Sequence, residues 1–244
     1  MTPNLNHLAV IRASGADAAS FLQGQLSNDF VLLPVNQWQL AAYCSPKGRM
    51  LASFWGMKLE ASPEQQDIVL VLSADIAAAT LKRLSMFVMR AKVKLVDASE
   101  MLPDLMLNHG LAAWSEREVA RGIARITAPL VDVFVPQMLN FESIGGVSFK
   151  KGCYPGQEVV ARSQFRGAIK RRTYLATVTS SELPVVGSEV FAAGNEESVG
   201  FVVQVDGSGA LICIQTSADN AALTTQNGAS FTLLALPYPL KDDI

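Results

Sequence analysis

The chain has 244 residues, 50% of them hydrophobic, and a formal net charge of −2 at pH 7. This composition suffices to bury one large core or two smaller ones, and it argues against a protein whose whole surface coats nucleic acid or membrane. The sequence shows neither a signal-peptide pattern at its start nor an apolar run of membrane-spanning length. Three cysteines without CxxC spacing and only two histidines, His7 and His109, predict a reducing compartment and no metal site. We therefore expect a cytoplasmic protein.

The N-terminal part of the chain predicts an α+β module. Ser14 and Ser73 are placed as caps of two helices, the first ending near Gln23 and the second crossing Ala77–Met89. Ser45–Gly48 predicts the turn of a hairpin. Apolar or alternating runs predict five strands: Leu8–Ile11, Trp38–Cys44, Met50–Leu59, Ile68–Leu72 and Lys92–Val96. The order of these elements resembles part of a split βαβ fold.

The middle of the chain is less regular. Glu118–Val135 predicts one strand and a turn. Pro136 is placed to start a short helix through Phe141, with Gly145 and Gly146 ending it. Pro155 occupies the first turn of a further predicted helix, which runs to about residue 162.

The C-terminal part predicts a small antiparallel β-barrel. Turns rich in glycine, asparagine and aspartate separate short β-like runs after Arg172. These runs are Thr173–Thr179, Glu189–Ala193, Ser198–Val205, Ala210–Gln215 and Ser230–Leu236. The change in pattern places a domain boundary near Gly167–Arg172.

Positive charge is concentrated around one cysteine, Cys153. Glu158 is the only acid among seven cations: Lys150, Lys151, Arg162, Arg166, Lys170, Arg171 and Arg172. A positive field and a helix N-terminus close downstream both favour a thiolate, and Gly152 and Gly156 remove side-chain bulk beside it. Gln157 and Glu158, in the first helical turn, are placed to hold backbone donors or a substrate. An ordinary buried cysteine beside a solvated basic surface fits the same residues.

Other chemistry has less support. The basic side chains Arg162, Arg166, Lys170 and Arg171 are suited to phosphate, yet no RRM, KH or other nucleic-acid signature accompanies them. GxSxG, HExxH, GxGxxG and P-loop motifs do not occur in the sequence. Cys44 and Cys213 lie in apolar strand patterns, which predicts buried side chains.

Several motifs together resemble one known family. They are FLQGQLSND (Phe21–Asp29), SPKGRMLASF (Ser45–Phe54), FVPQMLNFESIGGVSFKKGCYPGQEVVAR (Phe134–Arg162) and FRGAIKRR (Phe165–Arg172). The octapeptide KGCYPGQE within the third segment is the most specific. The chain is therefore similar to the YgfZ family of folate-binding proteins, relatives of the glycine-cleavage T-protein that assist iron–sulfur proteins.

The resemblance implies a three-lobed, T-protein-like arrangement around a channel for tetrahydrofolate or another reduced folate. Residues 1–165 would form two folate-binding lobes with ferredoxin-like modules, and residues 166–244 the barrel. The family's functional thiol motif corresponds to Lys151, Gly152, Cys153, Tyr154, Gly156, Gln157 and Glu158. Its two pocket tryptophans align near Leu8 and Trp114, whereas Trp38 and Trp55 are expected to serve packing. Arg162 and Arg166 would receive anionic folate or a partner.

The resemblance also implies a function, although one segment of the chain differs from the related T-proteins. T-proteins that transfer an aminomethyl carbon carry an acid in a segment resembling Gly48–Phe54, where this chain has Ala52 and Ser53. We therefore expect no classical aminomethyl transfer. The expected function is assistance with iron–sulfur cluster assembly or repair in client enzymes, including those that thiolate tRNA, without direct contact to nucleic acid or membrane. The alternatives are a one-carbon transferase whose acid is Asp29 or Glu142, and a module that docks partners through its basic patch.

Overall fold

The computed structural model of the protein describes residues 5–59, 66–111, 118–165 and 169–241. The α-helices in these ranges are α1 (Ala18–Gln23), α2 (Ala74–Ser85), α3 (Leu102–Asn108) and α4 (Gln157–Phe165). The strands are β1 (Leu8–Gly15), β2 (Trp38–Cys44), β3 (Met50–Lys58), β4 (Gln66–Ser73), β5 (Lys94–Asp97), β6 (Arg171–Val178), β7 (Glu189–Ala192), β8 (Ser198–Asp206), β9 (Gly209–Gln215), β10 (Leu223–Thr225) and β11 (Ser230–Leu234). Short 3₁₀ turns cover Ser99–Met101, Ala128–Leu130, Pro136–Leu139 and Thr216–Ala218.

The first five strands form one antiparallel sheet in the order β2-β3-β4-β1-β5. Strand β4 lies at its centre, and its apolar run Ile68–Leu72 is almost fully buried. Ile76, Thr80 and Leu84 recur at helical spacing as the buried stripe of α2. None of the helices in the described residues has the length and apolarity to cross a membrane.

The last six strands close into an antiparallel barrel in the order β10-β11-β6-β9-β8-β7. Strand β9 shows how the barrel joins the rest of the protein. Its side chains alternate, so that Ile212 and Ile214 belong to the barrel core while Leu211 and Cys213 belong to the N-terminal core. The period of two in the sequence thus lets one strand serve both cores, which confirms the predicted small antiparallel barrel.

Three predicted boundaries in the N-terminal part are wrong. Ser14 does not cap α1, because it pairs with Asp67 and Lys94 as part of β1. Asp17 is the N-cap of α1, and its carboxylate accepts the backbone N–H of Lys92. Helix α2 begins directly after its extended N-cap Ser73 and ends at residue 85, four residues before the predicted end at 89. Strand β5 is shifted toward the C-terminus.

The predicted strand in Glu118–Val135 does not form. The backbone N–H groups of this segment bond to side chains instead: Ile126 to Ser53 Oγ, Arg125 to Gln204 Oε1 and Ala128 to Asp75 Oδ2. Because these acceptors satisfy the backbone, the segment needs no neighbouring strand.

Two further details differ from the prediction. The turn beginning at Pro136 ends at Asn140, whose φ of 59° is left-handed, before the expected Gly145–Gly146 is reached. Strand β10 was not predicted, because it is only three residues long and lies in a polar sequence.

Candidate functional site

The loop before α4 presents Cys153 at the surface. Cys153 is exposed, whereas Cys44 and Cys213 are buried, as their strand patterns predicted. Burial raises the pKa of both Cys44 and Cys213 to about 12. Cys153 is thus the one cysteine of the chain that a partner or reagent can reach without unfolding.

Lys151 fastens this loop to the end of α1. Its side chain is buried, and Nζ donates hydrogen bonds to the carbonyl oxygens of Gln23 and Leu26, the latter at 2.7 Å. The ammonium also lies 4.5 Å from the centre of the Tyr154 ring. Burial lowers the pKa of Lys151 to about 8, against the opposing charges of Asp29 and Cys153. Lys151 therefore acts as an internal anchor two residues before the thiol.

The beginning of α4 is fixed by its own side chains and by a buried glutamine. Gln157 Oε1 accepts the backbone N–H of Tyr154 at 3.1 Å, which closes the turn around Pro155. Gln137 Nε2 donates to the carbonyl of Val160 at 2.7 Å. Tyr154 is buried, and that burial raises the pKa of its phenol. Glu158 is exposed.

Gly156 lets the hairpin turn Ser45–Gly48 approach α4 closely. Its φ is +80°, and a Cβ at this position would lie 2.3 Å from the Ser45 carbonyl oxygen and 2.7 Å from Gly48 Cα. Gly48 faces it with φ +72°, and a Cβ there would lie 2.7 Å from Val159 Cβ. Gly156 thus serves packing, whereas a Cβ on Gly152 would meet no atom within 4 Å.

We predict opposite outcomes for alanine at these two glycines. Gly156→Ala should lower the free energy of unfolding by roughly 2–4 kcal/mol, because it adds both left-handed strain and a backbone clash. Gly152→Ala should change it by less than about 0.5 kcal/mol. Urea unfolding followed by circular dichroism measures both. Equal losses in the two variants would contradict the packing role given to Gly156.

An exposed aromatic pair lies beside the thiol loop. Phe149 and Phe165 meet edge to face with ring centres 5.5 Å apart, although they are 38% and 53% exposed. Arg162 is exposed on α4, and Arg166 lies outside the described residues. The surface around Cys153 therefore combines cations with apolar rings, which suits contact with another molecule. Sequence reasoning singled out the cations and missed the rings.

A small enclosed cavity lies between the sheet and the segment that begins at Glu118. Leu8, Ser53, Trp55, Glu118 and Arg125 are among its lining residues. The buried Glu118 carboxylate accepts three hydrogen bonds: from Trp55 Nε1 at 2.9 Å, from Arg125 Nη2 at 2.5 Å and from Gln204 Nε2 at 3.2 Å. Glu118 and Arg125, the charged residues that line this cavity, are therefore paired with each other.

A wider groove of about 260 Å³ lies next to this cavity, and we call it the tryptophan groove. Leu40 and Trp55 line both spaces. Trp38 lies on its wall, and its Nε1 donates to the carbonyl oxygen of His109 at 2.7 Å. The remaining lining residues are Leu33, Pro34, Gln37, Gln39, Ile123, Ile144 and Gly145.

Comparison with known proteins shows the family to which the chain belongs. No model of a protein family matches it. A tRNA-modifying protein YgfZ from Aliivibrio fischeri is 32% identical, over 80% of this chain and 75% of that relative. The chain belongs to the YgfZ family. Another member, the tRNA-modifying protein YgfZ of Photobacterium profundum, is 28% identical over 98% of this chain and 92% of its own length.

The fold is shared with a solved structure. The crystal structure of the glycine cleavage system aminomethyltransferase T from Bartonella henselae superposes with a TM-score of 0.63. It covers 96% of this chain and 84% of its own, at 12% sequence identity. This YgfZ-family chain thus has the T-protein-like fold that its sequence motifs implied.

The predicted site residues of this family member fall into three groups. Lys151–Gly156 lie on the loop before α4, and Gln157, Glu158 and Arg162 lie on that helix. Leu8 lies apart from them, in the enclosed cavity, and none of the residues from Lys151 to Glu158 lines that cavity or the tryptophan groove. Trp114, like Arg166, lies outside the described residues.

Two buried polar residues, Ser27 and Asn28, connect the thiol loop to the tryptophan groove. Asn28 Nδ2 donates to the carbonyls of Leu40 and Gly145, at 2.8 and 2.6 Å, and both of these residues line the groove. The Ser27 carbonyl accepts the backbone N–H of Ser148, and the next carbonyl upstream, that of Leu26, is bound by the Lys151 ammonium. The motif FLQGQLSND therefore holds the loop and the groove in one hydrogen-bonded unit.

Proposed function

We propose that this YgfZ-family protein is a folate-binding accessory factor of the cytoplasm that assists assembly or repair of iron–sulfur clusters in client enzymes, including enzymes that modify tRNA. Cys153 is its functional thiol. The observation that carries this proposal is the exposure of Cys153 on a loop that Lys151 fastens from inside. The protein acts on its clients without contacting nucleic acid or membrane itself.

Tetrahydrofolate, or another reduced folate, occupies the tryptophan groove in this proposal. Trp38 and Trp55 line the groove, where an aromatic side chain can stack on a pterin or aminobenzoyl ring. Leu8 lines the adjoining cavity. Trp114 supplies an aromatic side chain at the second of the two positions where the family has a pocket tryptophan. Arg162 and Arg166 receive the anionic tail of the folate or a partner.

The alternative of a one-carbon transferase is less well supported. Ser53 Oγ accepts a backbone hydrogen bond from Ile126, and Ala52 offers no ionisable group. Asp29 and Glu142, the two acids considered as substitutes, are not among the lining residues of the cavity or of the groove. The carboxylate that does line the cavity, Glu118, already accepts three hydrogen bonds, one of them from the Arg125 guanidinium.

A folate titration tests the proposed ligand site. Trp38→Ala should weaken tetrahydrofolate binding about tenfold, because it removes one aromatic wall of the groove. Trp38→Phe should recover part of that loss, and Trp114→Ala should also weaken binding. Phe149→Ala is the control, since it removes an exposed ring outside the groove. Anaerobic calorimetry measures the dissociation constants, and an unchanged value for Trp38→Ala would remove this groove from the proposal.

A further inference from the structure

A second groove, which we call the α2 groove, lies between α2 and the β2–β3 hairpin. It encloses about 310 Å³ and has no lining residue in common with the tryptophan groove or its enclosed cavity. Its walls are mostly hydrocarbon: Leu51, Ile76, Ala79, Met86 and Val131. Met86 is 64% exposed, so a flexible and polarisable side chain stands at its rim.

Four polar side chains line this apolar space: Tyr43, Thr80, Lys82 and Arg83. Arg83 is half-buried in the wall, which also contains the buried side chain of Tyr43. Lys82 is exposed at the edge. Burial raises the pKa of Tyr43, with Arg83 opposing, so the phenol keeps its proton and can donate it to an anion. Across the described ranges, no carboxylate forms an ion pair with Lys82 or Arg83.

The chemistry of these groups defines a complementary ligand. The Arg83 guanidinium in the wall offers N–H groups in the planar, bidentate arrangement that a carboxylate accepts. Hydrocarbon walls beside it favour an apolar body, and about 310 Å³ lies at the small end of ligand sites. A neutral apolar molecule would leave both cations unpaired, and a cationic one would be repelled.

We propose that the α2 groove binds a small amphiphilic carboxylate, with its alkyl or aryl body against Ile76 and Ala79 and its anionic group on Arg83 and Tyr43. This site is independent of the folate site, since the two have no lining residue in common.

Calorimetry with three probes that each have a ten-carbon chain tests the proposal: decanoate, decanol and decyltrimethylammonium. Decanoate should bind at least about tenfold more tightly than the other two, because only it pairs with the cations. Arg83→Gln should lower the affinity of the protein for decanoate to its affinity for decanol. Ala79→Leu, which fills the groove, should weaken decanoate about tenfold, whereas Ala78→Leu, one residue along the same helix and outside the lining, should leave it unchanged.

Thermal unfolding of each variant establishes that the fold is retained before binding is compared. Equal affinity for decanoate and decanol, or an Ala79→Leu variant that binds decanoate like the parent, would overturn the proposal. Sedimentation velocity adds one more outcome. A dimer that Ala79→Leu dissociates would assign the groove to a second copy of the chain and would equally overturn it.

Discussion

Replacing Cys153 with alanine is expected to leave the fold intact and to abolish the protein's support of iron–sulfur enzymes in cells. The side chain is exposed, so its loss creates no cavity and leaves no buried partner unsatisfied. Under the proposed function, the same change removes the only accessible thiol of the protein. The measurement is the activity of a cluster-dependent enzyme in a deletion strain complemented with each variant.

Two controls separate chemistry from structure in that experiment. Lys150→Ala changes a neighbouring exposed residue and should complement like the parent, while Cys153→Ser tests whether sulfur itself is needed. Thermal unfolding should place Cys153→Ala within about 0.5 kcal/mol of the parent. Full complementation by Cys153→Ala would refute the role assigned to the thiol.

Replacing Arg172 with methionine is expected to cause the largest loss of stability, about 3–5 kcal/mol. Arg172 and Glu142 form a buried ion pair, in which Glu142 is 0% and Arg172 6% exposed. The guanidinium also donates to the carbonyls of Gln137 and Lys241, at 3.2 and 3.0 Å. Its removal leaves a buried carboxylate without its countercharge where the first barrel strand meets the segment that follows the Pro136–Leu139 turn.

Urea unfolding of a matched set of variants tests this expectation. Arg171→Met, at the more exposed neighbouring position, is the control and should cost less than about 1 kcal/mol. The double variant Glu142→Gln with Arg172→Met should be less destabilised than the sum of the single variants, because both remove the same pair. Additive losses would show that the pair contributes nothing beyond its separate side chains.

Local sequence patterns were sufficient for most regular elements. Apolar runs located the strands of the sheet and between four and eight residues of each barrel strand except β10, because alternate burial of residues produces a hydrophobic period of two in the sequence. The hairpin turn at Ser45–Gly48 followed from proline and glycine alone. The membership in the YgfZ family, predicted from the motifs, is confirmed by the relatives.

Long-range contacts account for what the sequence did not reveal. The irregular segment after Glu118 is held by Ser53, Asp75 and Gln204, acceptors that are distant in sequence and invisible to a local pattern. The sequence predicted packing roles for Trp38 and Trp55. Their shared groove could not be predicted, because it forms only when β2, β3 and residue 123 come together in the fold. The Cys153 motif was found because its residues are contiguous.

Other parts of the sequence interpretation stay predictions. They include the three-lobed arrangement, its ferredoxin-like modules and the domain boundary between residues 165 and 166. The described barrel strands begin at Arg171, five residues after that boundary.

The proposed folate site is best tested by a crystal structure of the protein soaked anaerobically with tetrahydrofolate. We expect electron density for the pterin or aminobenzoyl ring in the tryptophan groove, against Trp38 and Trp55, with the Cys153 loop unchanged. Density for the folate only in the α2 groove, or an empty tryptophan groove at saturating ligand, would contradict it.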